Sequence, residues 1–213
     1  LVLDELQAAA FRGVKVRVLM DQLSALEKVS TLAAYAGVHA NFEMRLYNPV
    51  LGRARLALPM YAVAAACCWR TLNRRMHNKL LLIDDAVAIT GGRNYQDDYY
   101  DWDASYNFRD RDLLVAGPVA GEMAANFDAF WNSPRSVPAE RLADVGRYLQ
   151  RNGVPPLPHA PYRKPERVRA LLEQVVDASQ VRARLVAPAM PVDGVQFIAD
   201  GPAKHRDDAR DSE

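Results

Sequence analysis

Segments with helical spacing alternate with segments of strand spacing through most of this chain, and that order leaves few architectures open. "LVLDELQAAAFRG" (1–13) carries apolar residues at helical intervals and then a glycine stop. "VKVRVLMD" (14–21) alternates apolar and charged residues, which puts Val14, Val16 and Val18 on one face of a strand. Ser24 to Ala36 reads as a helix ended by Gly37, "FEMRLYNP" as a second strand ended by Pro49, and Arg53 to Leu72 as a long helix. "KLLLIDD" and "AVAITGG" read as two strands joined by a tight turn at Asp84-Asp85-Ala86, "DLLVAGP" (112–118) as a further strand, and Val119 to Trp131 as a helix. Helices interleaved with strands imply an α/β fold: a mixed sheet, mostly buried, sandwiched between helices.

From residue 134 the character changes. Prolines are frequent up to 192, with helical stretches at Ala139 to Arg151 and Pro165 to Ala178. "VQFIAD" reads as a late, isolated strand, and "KHRDDARDSE" as a charged, disordered tail. The expected organisation is therefore a first lobe at 1–133, a Pro-rich helical linker at 134–192, and the opening of a second, truncated lobe at 193–213. The chain begins at Leu1 in what reads as mid-helix, so a fragment or a trimmed chain is expected. Neither a signal peptide nor a transmembrane segment is read: the longest apolar run, Met60 to Trp69, is too short to span a bilayer.

A net charge of +1 over 213 residues gives no global attraction for polyanions, which argues against a nucleic-acid partner. The only cysteines, Cys67 and Cys68, are sequence neighbours; a disulfide is not expected, and small core residues are.

The chemistry concentrates in "RMHNKLLLIDDAVAITGGRN" (75–94). A core strand has no use for His77 and Lys79, and lysine is almost never buried without a partner. At i and i+2 the two share a strand face, whereas Asp84 has the opposite parity and is expected to fix the turn. The returning strand delivers Gly91, Gly92 and Asn94 near the start of the first. Glycines there admit close approach of a ligand, and Lys79 with the Asn94 amide suits a tetrahedral oxyanion such as phosphate. His77 can then act as nucleophile or general acid/base. A nucleophilic histidine needs its second ring nitrogen held, and Asp110 and Asp112 in "RDRDLLVAGP" are the carboxylate candidates. No Cys/His cluster has metal-ligand spacing, so neither a metal nor another cofactor is expected.

H-x-K-x4-D-x6-G-G-x-N is the HKD signature, and the chain resembles the phospholipase D superfamily. Six fixed positions match by chance on the order of once in a hundred thousand chains of this length or less often. "RGVKVRVLMD", "RLYNP", "NRRMHNK", "GGRNYQDDYYD" and "DRDLLVAGPVA" resemble the first half of bacterial cardiolipin synthase-like and phospholipase D-like proteins, and "VQFIADGPAK" resembles the strand leading into their second half. The resemblance implies that His77 is the nucleophile that forms a phosphohistidine. It implies that Lys79 and Asn94, with Gly92, bind phosphate, that Asp84 is largely structural, and that Asp110 orients the nucleophile, with Asp112 ranked second. It implies a phosphatidyltransferase or phosphodiesterase with a phospholipid substrate, located at the membrane periphery or in the cytoplasm of a bacterium.

Members of this superfamily bring two HKD motifs together, one histidine attacking and the other protonating the leaving alcohol. One motif is present here; His39, His159 and His205 have no lysine two residues on. The partner half is expected either from a missing C-terminal lobe or from a second copy, as in single-motif nucleases; an inactive fragment is the remaining alternative. Tyr95, Tyr99, Tyr100 and Trp102 suit a lipid-facing entrance or plain packing equally. Arg70, Arg74 and Arg75 read as a solvated helix end, and Asp97 and Asp98 as loop-capping residues.

Overall fold

A computed structural model describes residues 1–22, 26, 28–103, 105–157, 161–162 and 164–202. Ser24, His159, His205 and the charged tail from 204 lie outside the described residues. The fold is α/β, as the alternation requires, and among the described residues its strands form two three-stranded sheets rather than one. The first half supplies α1 (Val2–Phe11), β1 (Val16–Asp21), α2 (Val29–Ala36), β2 (Phe42–Tyr47) and α3 (Leu58–Asn73). β3 (Leu80–Ile83), β4 (Val87–Gly91), β5 (Asp112–Ala116), α4 (Pro118–Trp131), β6 (Ser136–Pro138), α5 (Ala143–Asn152), α6 (Pro165–Val176) and α7 (Ala178–Val181) follow.

β1 and β2 pair in parallel, and β6 pairs antiparallel with β2. Strand alternation separates two faces. Val16, Phe42, Met44 and Leu46 face a core built with Ala10 of α1, Leu32, Ala33 and Tyr35 of α2, and Val145 of α5. Arg17, Arg45 and Tyr47 face the other way, onto α4. Arg45 lies over the Trp131 ring at 4.3 Å and donates to the Trp131 carbonyl at 2.8 Å, Arg17 pairs with Asp128 at 2.6 Å, and Tyr47 meets Phe130 edge-on at 5.3 Å. The N-terminal half of α4 buries Ala120 and Met123 against Ala88, Leu80, Leu82 and Val115 of the antiparallel β3-β4-β5 sheet. α4 thus meets both sheets, the second with its first half and the first with its last turn.

Several expectations change. Val14 precedes β1 and is exposed. α2 begins at Val29 and α3 at Leu58. Pro59 suits a first helical turn, and the N–H groups of Ala54 and Arg55 are claimed instead by the Asp144 carboxylate, both at 2.9 Å. The stretch expected as a linker from 134 carries β6, and the buried Ala139, Leu142 and Val145 belong to the main core. "VQFIAD" forms no strand. Phe197 packs with the Ala88–Ala120–Met123 cluster, and the carbonyls of Asp200 and Pro202 accept from the side chains of Asn126 (3.0 Å) and Arg135 (2.9 Å). Cys67 is exposed and Cys68 half-buried; helical dihedrals break at Cys68 (φ −138°, ψ 31°), and the neighbouring sulfurs pair as a disulfide, contrary to expectation. Among the described residues no helix is long and apolar enough to cross a membrane.

Candidate active site

The segment carrying His77 leaves α3 under the control of two strand ends. Asn48, just beyond β2 with φ 52°, donates through Nδ2 to the carbonyls of Thr71 (2.6 Å) and Arg74 (2.8 Å), closing the α3 C-terminus. Asp21, the last residue of β1 and 5% exposed, accepts from Arg75 Nη1 and from the Met76 N–H, both at 3.0 Å. Arg75 Nε donates to the Leu72 carbonyl at 2.6 Å. Arg75 is therefore no solvated helix end: its side chain is 19% exposed and paired with a buried carboxylate. The carboxyl ends of the parallel strands β1 and β2 thereby fix where His77 emerges, the edge of an α/β sheet where ligands generally bind.

His77 and Lys79 lie immediately before β3, in a stretch with no helix or turn. The Thr90 hydroxyl donates to the Lys79 carbonyl at 3.0 Å, and Lys79 Nζ donates to the His77 carbonyl at 2.9 Å. Burial lowers the Lys79 pKa from its ordinary value, and the nearby Asp110 carboxylate opposes that shift. Gly91 pairs with Asp112 across the β4–β5 ladder, and a Cβ at Gly91 would collide with the Arg111 carbonyl and Asp112. A Cβ at Gly92 would collide with the Asp110 carboxylate. The fold therefore brings Lys79, Gly92 and Asp110 together around the double glycine, with half-buried Asn94 two residues on.

The Asp110 carboxylate accepts from the Arg111 N–H at 2.8 Å, and among the described residues no hydrogen bond joins it to the His77 imidazole. Asp84 sits apart, at the opposite end of the hairpin. Asp84 and Asp85 both have positive φ (51° and 54°), and the Ala86 N–H closes the turn on the Ile83 carbonyl at 3.1 Å.

Sequence reasoning passed over four residues that shape this region. Arg93 donates to the Asp110 carbonyl at 2.7 Å, stands 3.4 Å from Asp112 without hydrogen-bond geometry, and lies 5.4 Å from the Tyr100 ring centroid. Asn126 on α4 accepts from Asn78 Nδ2 at 3.3 Å while donating to the Asp200 carbonyl. Asp21 and Asn48 complete the set; a lone Asp ending an alternating strand was the signal available for Asp21. The loop aromatics stack largely on one another: Tyr95 on Tyr100 at 6.4 Å and Tyr99 on Phe108 at 4.6 Å. Partial burial, aided by Tyr100 and Asp112, pushes the Tyr95 phenol up to about 12. Trp102 is covered by Arg167 of α6 at 4.5 Å. His39 is structural, accepting from the Asn41 N–H at 3.1 Å.

An α/β unit with a histidine–lysine pair leading into a hairpin that closes on a double glycine defines a class, and comparison with known proteins agrees. Residues 1–131 match the family described as cardiolipin synthase, phospholipase D-like domain. The chain belongs to that family. It is 36% identical over 141 residues to a Helicobacter pylori protein named only as uncharacterized, covering 66% of this chain and 27% of the relative. It is 34% identical over 145 residues to cardiolipin synthase C of Escherichia coli, covering 68% of this chain and 29% of the relative. It is 31% identical over 130 residues to a cardiolipin synthase of Alkalihalophilus pseudofirmus, covering 61% and 23%. The chain thus spans less than a third of the length of each of these relatives.

Proposed function

We propose that this chain supplies the nucleophilic half of a phospholipase D-type site, in which His77 attacks the phosphorus of a phospholipid phosphodiester. Resemblance to the cardiolipin synthases favours transfer of a phosphatidyl group to another alcohol, with water as the competing acceptor. An imidazole nitrogen bonds to phosphorus as the P–O bond to the alcohol breaks, giving a phosphohistidine that the acceptor then resolves. Lys79 and Asn94 hold the phosphoryl oxygens, and Gly92 leaves room beside them by carrying no side chain; the Lys79 charge and the amide donors favour the trigonal-bipyramidal transition state. Asp110 tunes Lys79 and is the carboxylate proposed to orient the nucleophile, with Asp112 behind it. Asp84 serves the turn.

The observation that carries this reading is the convergence of Lys79, Gly92 and Asp110, from three separate segments, beside the exposed His77. A lipid alkoxide leaves poorly without a proton, so turnover on lipid calls for a second histidine from another lobe. A phenolate leaves without one. Phosphodiester turnover by the full chain and His77→Ala, on a bis-aryl phosphodiester and on phosphatidylglycerol, tests the proposal. Phenolate release by the parent alone is the predicted result; equal release by the variant sinks it.

A second reading has a specific observation behind it. Leu81, Ile83, Val87, Ile89, Leu114 and Ala116 share the face of the second sheet turned away from α4, and Ile83 (53%) and Leu114 (43%) remain exposed. A second copy packed there makes a homodimeric single-motif phosphodiesterase. Light scattering separates the readings: a stable dimer with lipid turnover favours this one, a monomer the first.

A further inference from the structure

α3 is apolar on two sides, and only one of them is covered. Its inner side packs Met60, Tyr61, Ala64, Cys68 and Leu72 with Val50 and Leu56. Leu58, Ala62, Ala65, Ala66 and Trp69 recur at helical spacing on the outer side, with Val63 beside them, and all are exposed. Leu58 (85%), Trp69 (60%) and Val63 (57%) are the large ones. A helix apolar all round belongs in a protein interior or against lipid. The charges around this one have a single sign: from Val50 to Ile83 the chain has no Asp or Glu. Exposed Arg55 precedes the helix, exposed Arg70 sits in its last turn, and among the described residues neither pairs with a carboxylate. The exposed apolar face of the second sheet differs, because it runs to Asp84 and Asp85 at the hairpin turn and to Asp112 on β5.

We propose that the outer face of α3 is the surface by which this chain docks on an anionic phospholipid bilayer. Its 16 residues make a helix about 24 Å long, short of the roughly 30 Å hydrocarbon core, so α3 lies in the interface plane rather than across it. Leu58, Val63 and Trp69 enter the boundary between headgroups and acyl chains, and Arg55 and Arg70 meet lipid phosphates at either end. Exposed His77 follows four residues after the helix ends at Asn73, within about 14 Å of that end. Docking therefore holds the histidine at a surface made of phosphodiesters. The inference rests on the phospholipid reading of the His77 site but concerns where the chain binds, not its chemistry.

The test is flotation of the full chain with vesicles of phosphatidylcholine alone or mixed with phosphatidylglycerol, at low and high salt. The parent is expected to float with the phosphatidylglycerol vesicles, less so at high salt, and weakly with phosphatidylcholine. Val63→Glu combined with Trp69→Gln is expected to bind about tenfold more weakly or worse, as is Arg55→Gln combined with Arg70→Gln. These side chains are exposed, so circular dichroism melts are expected to match the parent's. Fluorescence locates the contact: lipids brominated in their acyl chains are expected to quench the parent, and to quench Trp69→Phe, which keeps Trp102 and Trp131, far less. Absence of binding by the parent, unaltered binding by the folded variants, or undiminished quenching in Trp69→Phe overturns the proposal. A lipid-free dimer that Val63→Glu with Trp69→Gln dissociates also overturns it, because a second copy then covers the face. Should a double variant fail to fold, the quenching comparison decides. His77→Ala is expected to float as the parent does, so vesicle binding without turnover defeats only the catalytic reading, and aryl-diester turnover without vesicle binding defeats only this one.

Discussion

Replacing Asp21 by Asn removes a charge that two groups depend on. Its carboxylate is 5% exposed and accepts from the Arg75 guanidinium and the Met76 N–H, each at 3.0 Å. Asparagine keeps the shape but turns an N–H2 toward one of those donors. Breaking a buried pair by removing one partner costs about 3–5 kcal/mol. Arg75 keeps 19% of its side-chain surface in water, which places the loss at the lower end, about 3 kcal/mol. For a chain of this size that is a fall of about 6–12 °C in Tm. The assay is paired urea and thermal denaturation of the parent, Asp21→Asn, Arg75→Met and the double variant. The double variant is expected to recover part of the loss, because no lone charge is then left in the interior. A loss below about 1 kcal/mol, as for an exposed ion pair, with additive effects in the cycle, would refute the reasoning.

Gly91→Ala drives a Cβ into the Arg111 carbonyl and Asp112, so the β4–β5 ladder must part; a loss of about 1–3 kcal/mol in denaturation is expected. Lys79→Met separates stability from function. The folded-state pKa of Lys79 is lowered, so folding disfavours its charged form and stability rises with pH as the group deprotonates; the neutral variant is expected to melt no lower than the parent at pH 7 while losing phosphate affinity in titration. Asp85→Gly relaxes a left-handed residue in the hairpin turn and is expected to raise stability by about 1 kcal/mol in urea denaturation, whereas Asp84→Val at φ 51° is expected to lower it by about 1–2 kcal/mol.

The β3–β4 hairpin, β5 and α4 were legible because short-range signals agree there: an Asp-Asp turn, apolar runs of strand length, and a Gly-Pro start before a helical pattern. The double glycine was read as room for a ligand; what stands against it in the fold is the chain's own Asp110 and Asp112. The rest depended on partners distant in sequence. β6 has three residues and ends on Pro138, which reads as a linker; it is a strand because it adds to the open edge of β2, where proline is tolerated. The alternation of "VQFIAD" reads as a strand, yet its last carbonyl, of Asp200, goes to the Asn126 side chain on α4, and that of Pro202 just beyond goes to Arg135. The start of α3 was misplaced because Asp144, ninety residues on from Ala54, captures the preceding N–H groups. Arg75 looked like one of three solvated arginines because nothing local announces Asp21.

The central claim is that His77 is a phosphorus nucleophile, and intact mass measurement tests it most directly. The full chain is mixed with a bis-aryl phosphodiester, quenched at alkaline pH to preserve a phosphorus–nitrogen bond, and mapped by peptide. The account predicts one aryl-phosphoryl adduct per chain, located on His77, absent from His77→Ala, and formed as one equivalent of phenolate is released. A folded chain that acquires no adduct, or one that carries it on another residue, would contradict the account.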